Sequence, residues 1–67
     1  MCLAKVYVSA AAGDAGAELL MENVARIVVD GDRVRLSSIL GETEELPGRI
    51  TTIDFVAGKV ALESLEV

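Results

Sequence analysis

The stretch "ARIVVDGDRVRLSSIL", residues 25–40, constrains the fold more than any other. Two runs rich in β-branched residues flank Asp30-Gly31-Asp32, and an Asp-Gly pair between such runs is a strong signal for a tight hairpin turn. The second run alternates. Val34 and Leu36 face one side and Arg33 and Arg35 the other, the period-two pattern of a half-buried strand. A helix cannot continue through this turn, so the strand that enters it must start near Asn23 or Val24.

The same pattern recurs on either side. Leu3–Val8 places Ala4, Val6 and Val8 on one face and Leu3, Lys5 and Tyr7 on the other. "SAAAGDAG" then reads as an exposed loop of small residues. Beyond the hairpin, "GETEELPG" reads as an acidic loop ending in Pro47-Gly48, which suits a type II turn with glycine at its positive-φ position. "RITTIDFV" and "KVALESLEV" read as two further strands joined at Ala57-Gly58, with Ile53 and Phe55 alternating on one arm and Val60 and Leu62 on the other.

"AELLMENVARIVV" is ambiguous. Leu20, Val24, Ile27 and Val28 have helical spacing, and Ala, Glu, Leu and Met are good helix formers. The hairpin favours a short strand at Glu18–Met21 and a longer one at Val24–Asp30, with a single helical turn at Leu19–Asn23 as the alternative. The expectation is an all-β chain of five or six short strands, with at most one helical turn, closing into a small barrel-like domain that leaves no exposed sheet edge.

Length then matters. Sixty-seven residues make one domain, residues 1–67, and so small a core is marginal without a disulfide, a metal or a partner subunit. A lone cysteine, Cys2, cannot form an internal disulfide. A homodimer, a metal or both are therefore expected. The apolar fraction of 52% argues against disorder. The amino-terminal segment resembles a secretory signal only faintly, since its apolar run is short and broken by Ser9. No run reaches the ~20 apolar residues of a membrane span, so a cytoplasmic location is expected.

Chemistry is sparse. The chain has no histidine, which excludes histidine-based catalysis and zinc sites, and no glycine-rich phosphate loop. No catalytic residue is expected. Glu42, Glu44 and Glu45 read as a solvated acidic loop, with a weak cation site as the lesser alternative. The net charge of −5 and only two aromatic residues, Tyr7 and Phe55, argue against nucleic-acid binding. An RNA-binding module remains the alternative, because small barrels bind oligonucleotides and Arg33, Arg35 and Arg49 would form a basic stripe if their strands were adjacent. Pairing of these arginines with nearby acids is the more ordinary expectation.

Cys2 offers one further possibility. Its thiolate and backbone nitrogen close a five-membered chelate ring around a metal, a planar N/S donor set suited to Ni(II) or Cu(II). The amine of Met1 would add a third donor, and a two-fold dimer would complete the site symmetrically. On the pattern alone, a single cysteine packed as a small hydrophobe is the more common outcome.

The start "MC" followed by "AKVYV", then "MENV…VDGDRVRL" and "LPGRI…IDF", resembles the CooT family of small nickel-binding proteins, once labelled RNA-binding. The resemblance runs from Met1 to about Glu63. It implies a homodimer of small β-barrels that binds one Ni(II) between them through Cys2; the chelate argument adds the backbone nitrogens of Cys2 and of Met1 or Leu3 as expected further donors. It also implies a link to nickel enzymes of the carbon monoxide dehydrogenase type or to their maturation proteins, in a carrier or storage role rather than a catalytic one. Leu3 stands where the family often has an acidic residue.

Overall fold

The computed structural model describes residues 3–10 and 17–65. Five strands follow in order: β1 (Ala4–Ala10), β2 (Glu18–Asp30), β3 (Arg33–Ser38), β4 (Thr43–Asp54) and β5 (Lys59–Ser64). They form a closed barrel in sequence order. Consecutive strands pair antiparallel, and β1 closes the ring by pairing parallel with β5, from Lys5 opposite Lys59 to Ala10 opposite Ser64. The all-β expectation holds with five strands, and no helix occurs among the described residues.

The interior is small. Val6, Val34 and Leu36 are completely buried, Leu62 nearly so, and Met21, Val24 and Val60 complete the core. These side chains come from four strands; Val6, Val34, Leu36, Val60 and Leu62 lie at the alternate positions marked by the period-two pattern, while Met21 and Val24 are three apart on β2. Each such burial contributes about 1.5–3 kcal/mol, so few of them can be spared.

Where the sequence suggested a short strand, a possible helical turn and then a second strand, there is one continuous strand, β2. Bulges reconcile this strand with its helical spacing. Ala4 pairs with Val24 but Val6 with Met21, Tyr7 pairs with Leu19, and Val24 and Arg26 pair with the neighbours Ser38 and Ser37. Each shift inserts an extra residue into β2. Asn23 takes a positive φ of 58°, a conformation that asparagine tolerates better than most side chains, and its carbonyl accepts a hydrogen bond from the Ile39 N–H. The bulges bend β2 so that its first half pairs with β1 and its second half with β3.

The acidic loop and type II turn expected over residues 41–48 are also corrected. Thr43 to Asp54 is a single strand, with Pro47 and Gly48 inside it. Pro47 is the last residue of β4 opposite β3, and Gly48 is the first opposite β5. A proline fits where the strand changes partners and needs no ladder N–H. Gly48 is not among the positive-φ glycines. Its lack of a side chain serves close packing instead, because a Cβ there would lie 2.9 Å from the Glu63 carbonyl oxygen. The Asp30-Gly31-Asp32 turn forms as expected, with φ +61° at Gly31.

Candidate functional site at the open end of the barrel

Cys2, the expected metal-binding residue, lies outside the described residues, as does Met1. The description begins at Leu3, which lines an apolar cleft of about 270 Å³. β2 from Arg26 to Asp30 pairs only with β3, and β4 from Thr52 to Asp54 only with β5, among the described residues. The cleft opens between these two strand segments. Ile27 and Ile53 form its walls, and Phe55 and Lys59 its rim.

Phe55 departs from the sequence expectation. The alternation puts it on one strand with Ile53, but it lies in the turn that follows β4 and is 84% exposed. Val56 beside it is fully exposed, and Ile53 itself is half exposed. This turn is well anchored. Asp54 Oδ1 accepts hydrogen bonds of 3.0 Å from both the Val56 and the Ala57 N–H. Gly58 closes the turn with φ +69°, and its carbonyl accepts a hydrogen bond from the Lys5 N–H. The turn is thereby tied to the start of β1, within two residues of Leu3. Lys59 Nζ lies 5.2 Å from the centre of the Tyr7 ring, which fixes that cation on the same side of the barrel.

No group of three or more His, Cys, Asp or Glu side chains among the described residues is placed to hold a metal ion. Glu44 and Glu45 are exposed strand residues and Glu42 a turn residue, so the solvated reading of these acids stands. The chain's only thiol, Cys2, lies outside the described residues.

The basic stripe required by the RNA-binding alternative does not form. Arg33 Nε donates to Glu45 Oε2 at 3.2 Å, Arg49 Nε lies 3.9 Å from Glu63 Oε1, and Arg35 sits opposite Glu45 in the β3–β4 ladder. Acids are interleaved with the arginines, and the surface between them carries little net positive charge. Sequence reasoning placed the arginines facing outward but could not supply the neighbouring strands. It also missed the exposed Phe55-Val56 tip. Its only signal is two large apolar residues followed by Ala-Gly at a hairpin turn.

A crystal structure of a Carboxydothermus hydrogenoformans protein assigned as CooT has the same fold. It matches 97% of this chain and all of its own, with a TM-score of 0.82 at 23% identity. A protein of uncharacterised function from Methanothermobacter thermautotrophicus is 34% identical over 64 residues, covering 96% of this chain and 91% of the relative. Another, from Archaeoglobus fulgidus, is 46% identical over 43 residues, covering 64% of this chain and 96% of the relative. Residues 1–63 match the family described as CO dehydrogenase accessory protein CooT, an accessory protein and not an enzyme. The chain belongs to the CooT family of CO dehydrogenase accessory proteins.

Proposed function

We propose that this protein is a nickel carrier or store that holds one Ni(II) between two copies of the chain and supports the maturation of a nickel enzyme of the CO dehydrogenase type. The Cys2 thiolates and the backbone nitrogens beside them would be the donors. The observation that carries this reading is the family match, which spans Met1 and Cys2, on a chain with no histidine and no second cysteine. The described structure supports it from the other side. It offers no cluster of metal-binding side chains and brings the chain to Leu3 beside an exposed apolar cleft.

The chemistry is consistent with this proposal. A thiolate with adjacent backbone nitrogen favours a planar N/S environment, which suits Ni(II) and also accepts Cu(II). One chain supplies too few donors for a closed four-coordinate site, and a two-fold axis doubles them.

Equilibrium dialysis against Ni(II), with Cys2→Ser as the control, tests the proposal. The expected result is about half a nickel per chain for the natural protein, as two-fold sharing requires, and loss of tight binding in the variant. One nickel per chain, or full binding by Cys2→Ser, would overturn it.

A further inference from the structure

β2 is longer than the strand beside it. β3 stops at Ser38, opposite Val24, and one further backbone bond follows, from the Ile39 N–H to the Asn23 carbonyl. Beyond that point residues 18–22 of β2 pair with β1 alone, among the described residues. Where β3 would continue if it were longer, there is an open groove of about 740 Å³. Leu19 and Leu20 line it from β2 and Leu40 from the turn after β3, and Glu22, Glu42 and Glu44 add three carboxylates.

We infer that this groove binds an extended segment of a partner protein, one in which lysine or arginine side chains alternate with apolar ones, added as a strand against the free edge of β2. The inference is independent of the nickel reading above. Backbone, apolar surface and charge each support it.

The backbone sets the conformation of the partner. A strand paired on one side presents a row of N–H and C=O groups to its free side. An extended segment can bond to such a row whatever its side chains, as in other cases of strand addition to a sheet edge. A helix cannot use this edge, because its own backbone groups are already bonded to one another.

The apolar surface sets half of the side chains. Leu19 is 46% exposed and Leu40 79%. Leu40 is held in place by its turn. Ser38 Oγ accepts hydrogen bonds from the Leu40 N–H at 3.2 Å and the Glu42 N–H at 3.1 Å, and the Ser38 N–H donates to the Glu42 carbonyl at 2.8 Å. Docking therefore requires little further ordering of the turn. Successive residues of an added strand face opposite sides, which leaves one set for the leucines and the other for the carboxylates.

Charge sets the other half. The ion pairs of the described residues, Arg33 with Glu45 and Arg49 with Glu63, use none of the three carboxylates. None of the described residues lining the groove is a lysine or an arginine. The carboxylates are not gathered for a metal either, since no three acids among the described residues are placed to hold one. Carboxylates spread along a groove suit cations spread along a segment, and their field draws such a segment in. The same field repels nucleic acid, and a second copy docked groove to groove would set glutamates against glutamates.

The test uses the full chain and a short fluorescent peptide that alternates valine with lysine. Fluorescence anisotropy gives the affinity, and amide shifts in nuclear magnetic resonance spectra locate the peptide. Saturable binding is expected, with shifts gathered at residues 19–22 and 40–44. Glu22→Gln, Glu42→Gln and Glu44→Gln combined should weaken binding about tenfold or more, with an unchanged far-ultraviolet spectrum because all three positions are exposed. Leu40→Ser should act in the same direction, and Phe55→Ser, on the other apolar surface, should bind as the natural chain does. A peptide with proline at its centre lacks a ladder N–H and should bind more weakly. No binding at millimolar peptide would overturn the inference, as would equal binding of a valine–glutamate peptide or of the proline peptide. Undiminished binding by the triple variant, or shifts gathered at Phe55, would also overturn it. So would a fall in mass of the unliganded protein on Leu40→Ser, which would show a second copy on this face. Nickel content per chain should be the same in the natural chain and the triple variant, so loss of peptide binding is distinguished from failure of the nickel reading.

Discussion

The barrel contains two hairpins with closely similar architecture and opposite tips. The β2–β3 hairpin turns at Gly31-Asp32, with aspartates on both sides of Gly31 and φ +61° at the glycine. The β4–β5 hairpin also has an aspartate where its first strand ends, Asp54, and a glycine with φ +69°, Gly58, where the second begins. The second arm of each hairpin places a valine and a leucine in the core, Val34 and Leu36 from β3, Val60 and Leu62 from β5, and β2 adds Met21 and Val24. Yet the first tip is polar, as a solvated turn should be, while the second presents Phe55 and Val56 to solvent. Folding alone accounts for the first tip. The second keeps apolar surface that the folded monomer does not use, and such surface on a small protein marks a binding site.

This comparison can be sharpened first at the base of the hairpins, where they should behave alike. Leu36→Ala and Leu62→Ala each remove a buried side chain and leave a cavity, so each should cost about 2–5 kcal/mol of unfolding free energy in urea titrations. If one leucine were dispensable, the two halves of the barrel would not be equivalently packed and the parallel between the hairpins would break.

The far end of the β4–β5 hairpin, where Gly48 meets Glu63, should show the next largest effect. Gly48→Ala forces a methyl group against the Glu63 backbone carbonyl, which cannot move away as a flexible side chain could. A loss of about 1–3 kcal/mol is expected, read from the shift of the denaturation midpoint. A neutral outcome would mean that β4 and β5 separate easily at this point.

The turn glycines come third. Gly31→Ala and Gly58→Ala should each cost about 1–2 kcal/mol, because both positions hold a left-handed backbone conformation. A Cβ at Gly31 meets nothing within 4 Å, and one at Gly58 only the Leu3 carbonyl oxygen at 3.8 Å, so the backbone term dominates in both. Thermal melts of the two variants should fall side by side.

The polar tip has a pair at its edge. Arg33→Ala removes the bond to Glu45, but both side chains are about half exposed, so the loss should be below about 1 kcal/mol and smaller still at high salt. The smallest effect is expected at the apolar tip. Phe55→Ser should change the folding stability of the single chain by no more than about 0.5 kcal/mol, measured at protein concentrations where the midpoint no longer depends on concentration. A large loss there would show that Phe55 serves the fold after all, and the contrast between the tips would disappear.

Much of this was legible in the chain itself. The Asp-Gly hairpin, the alternation of Val34 with Leu36 and of Val60 with Leu62, and the lack of any catalytic constellation follow from local residue chemistry. The family could be read from the order of short motifs. The misread places are those where two distant strands decide the outcome. Helical spacing in residues 20–28 became a bulged strand because β1 and β3 both pair with it, and local propensity is weak against two ladders of hydrogen bonds. Pro47-Gly48 has the composition of a turn but lies within a strand, because the approach of β5 at Glu63 requires a residue without a side chain.

For the candidate site the division is similar. The sequence by itself determined which groups exist: one thiol, no histidine, an acidic balance and two aromatic residues. Their chemistry does not depend on the fold, since donor type and charge belong to the residues themselves. Only the tertiary structure decided which of them share a surface. Closure of the barrel by β1 and β5 sets Leu3 beside Phe55 and Lys59, more than fifty positions away, and separates that cleft from the glutamates around Leu40. Such neighbours follow from strand register around a closed ring, a long-range property that no local pattern encodes.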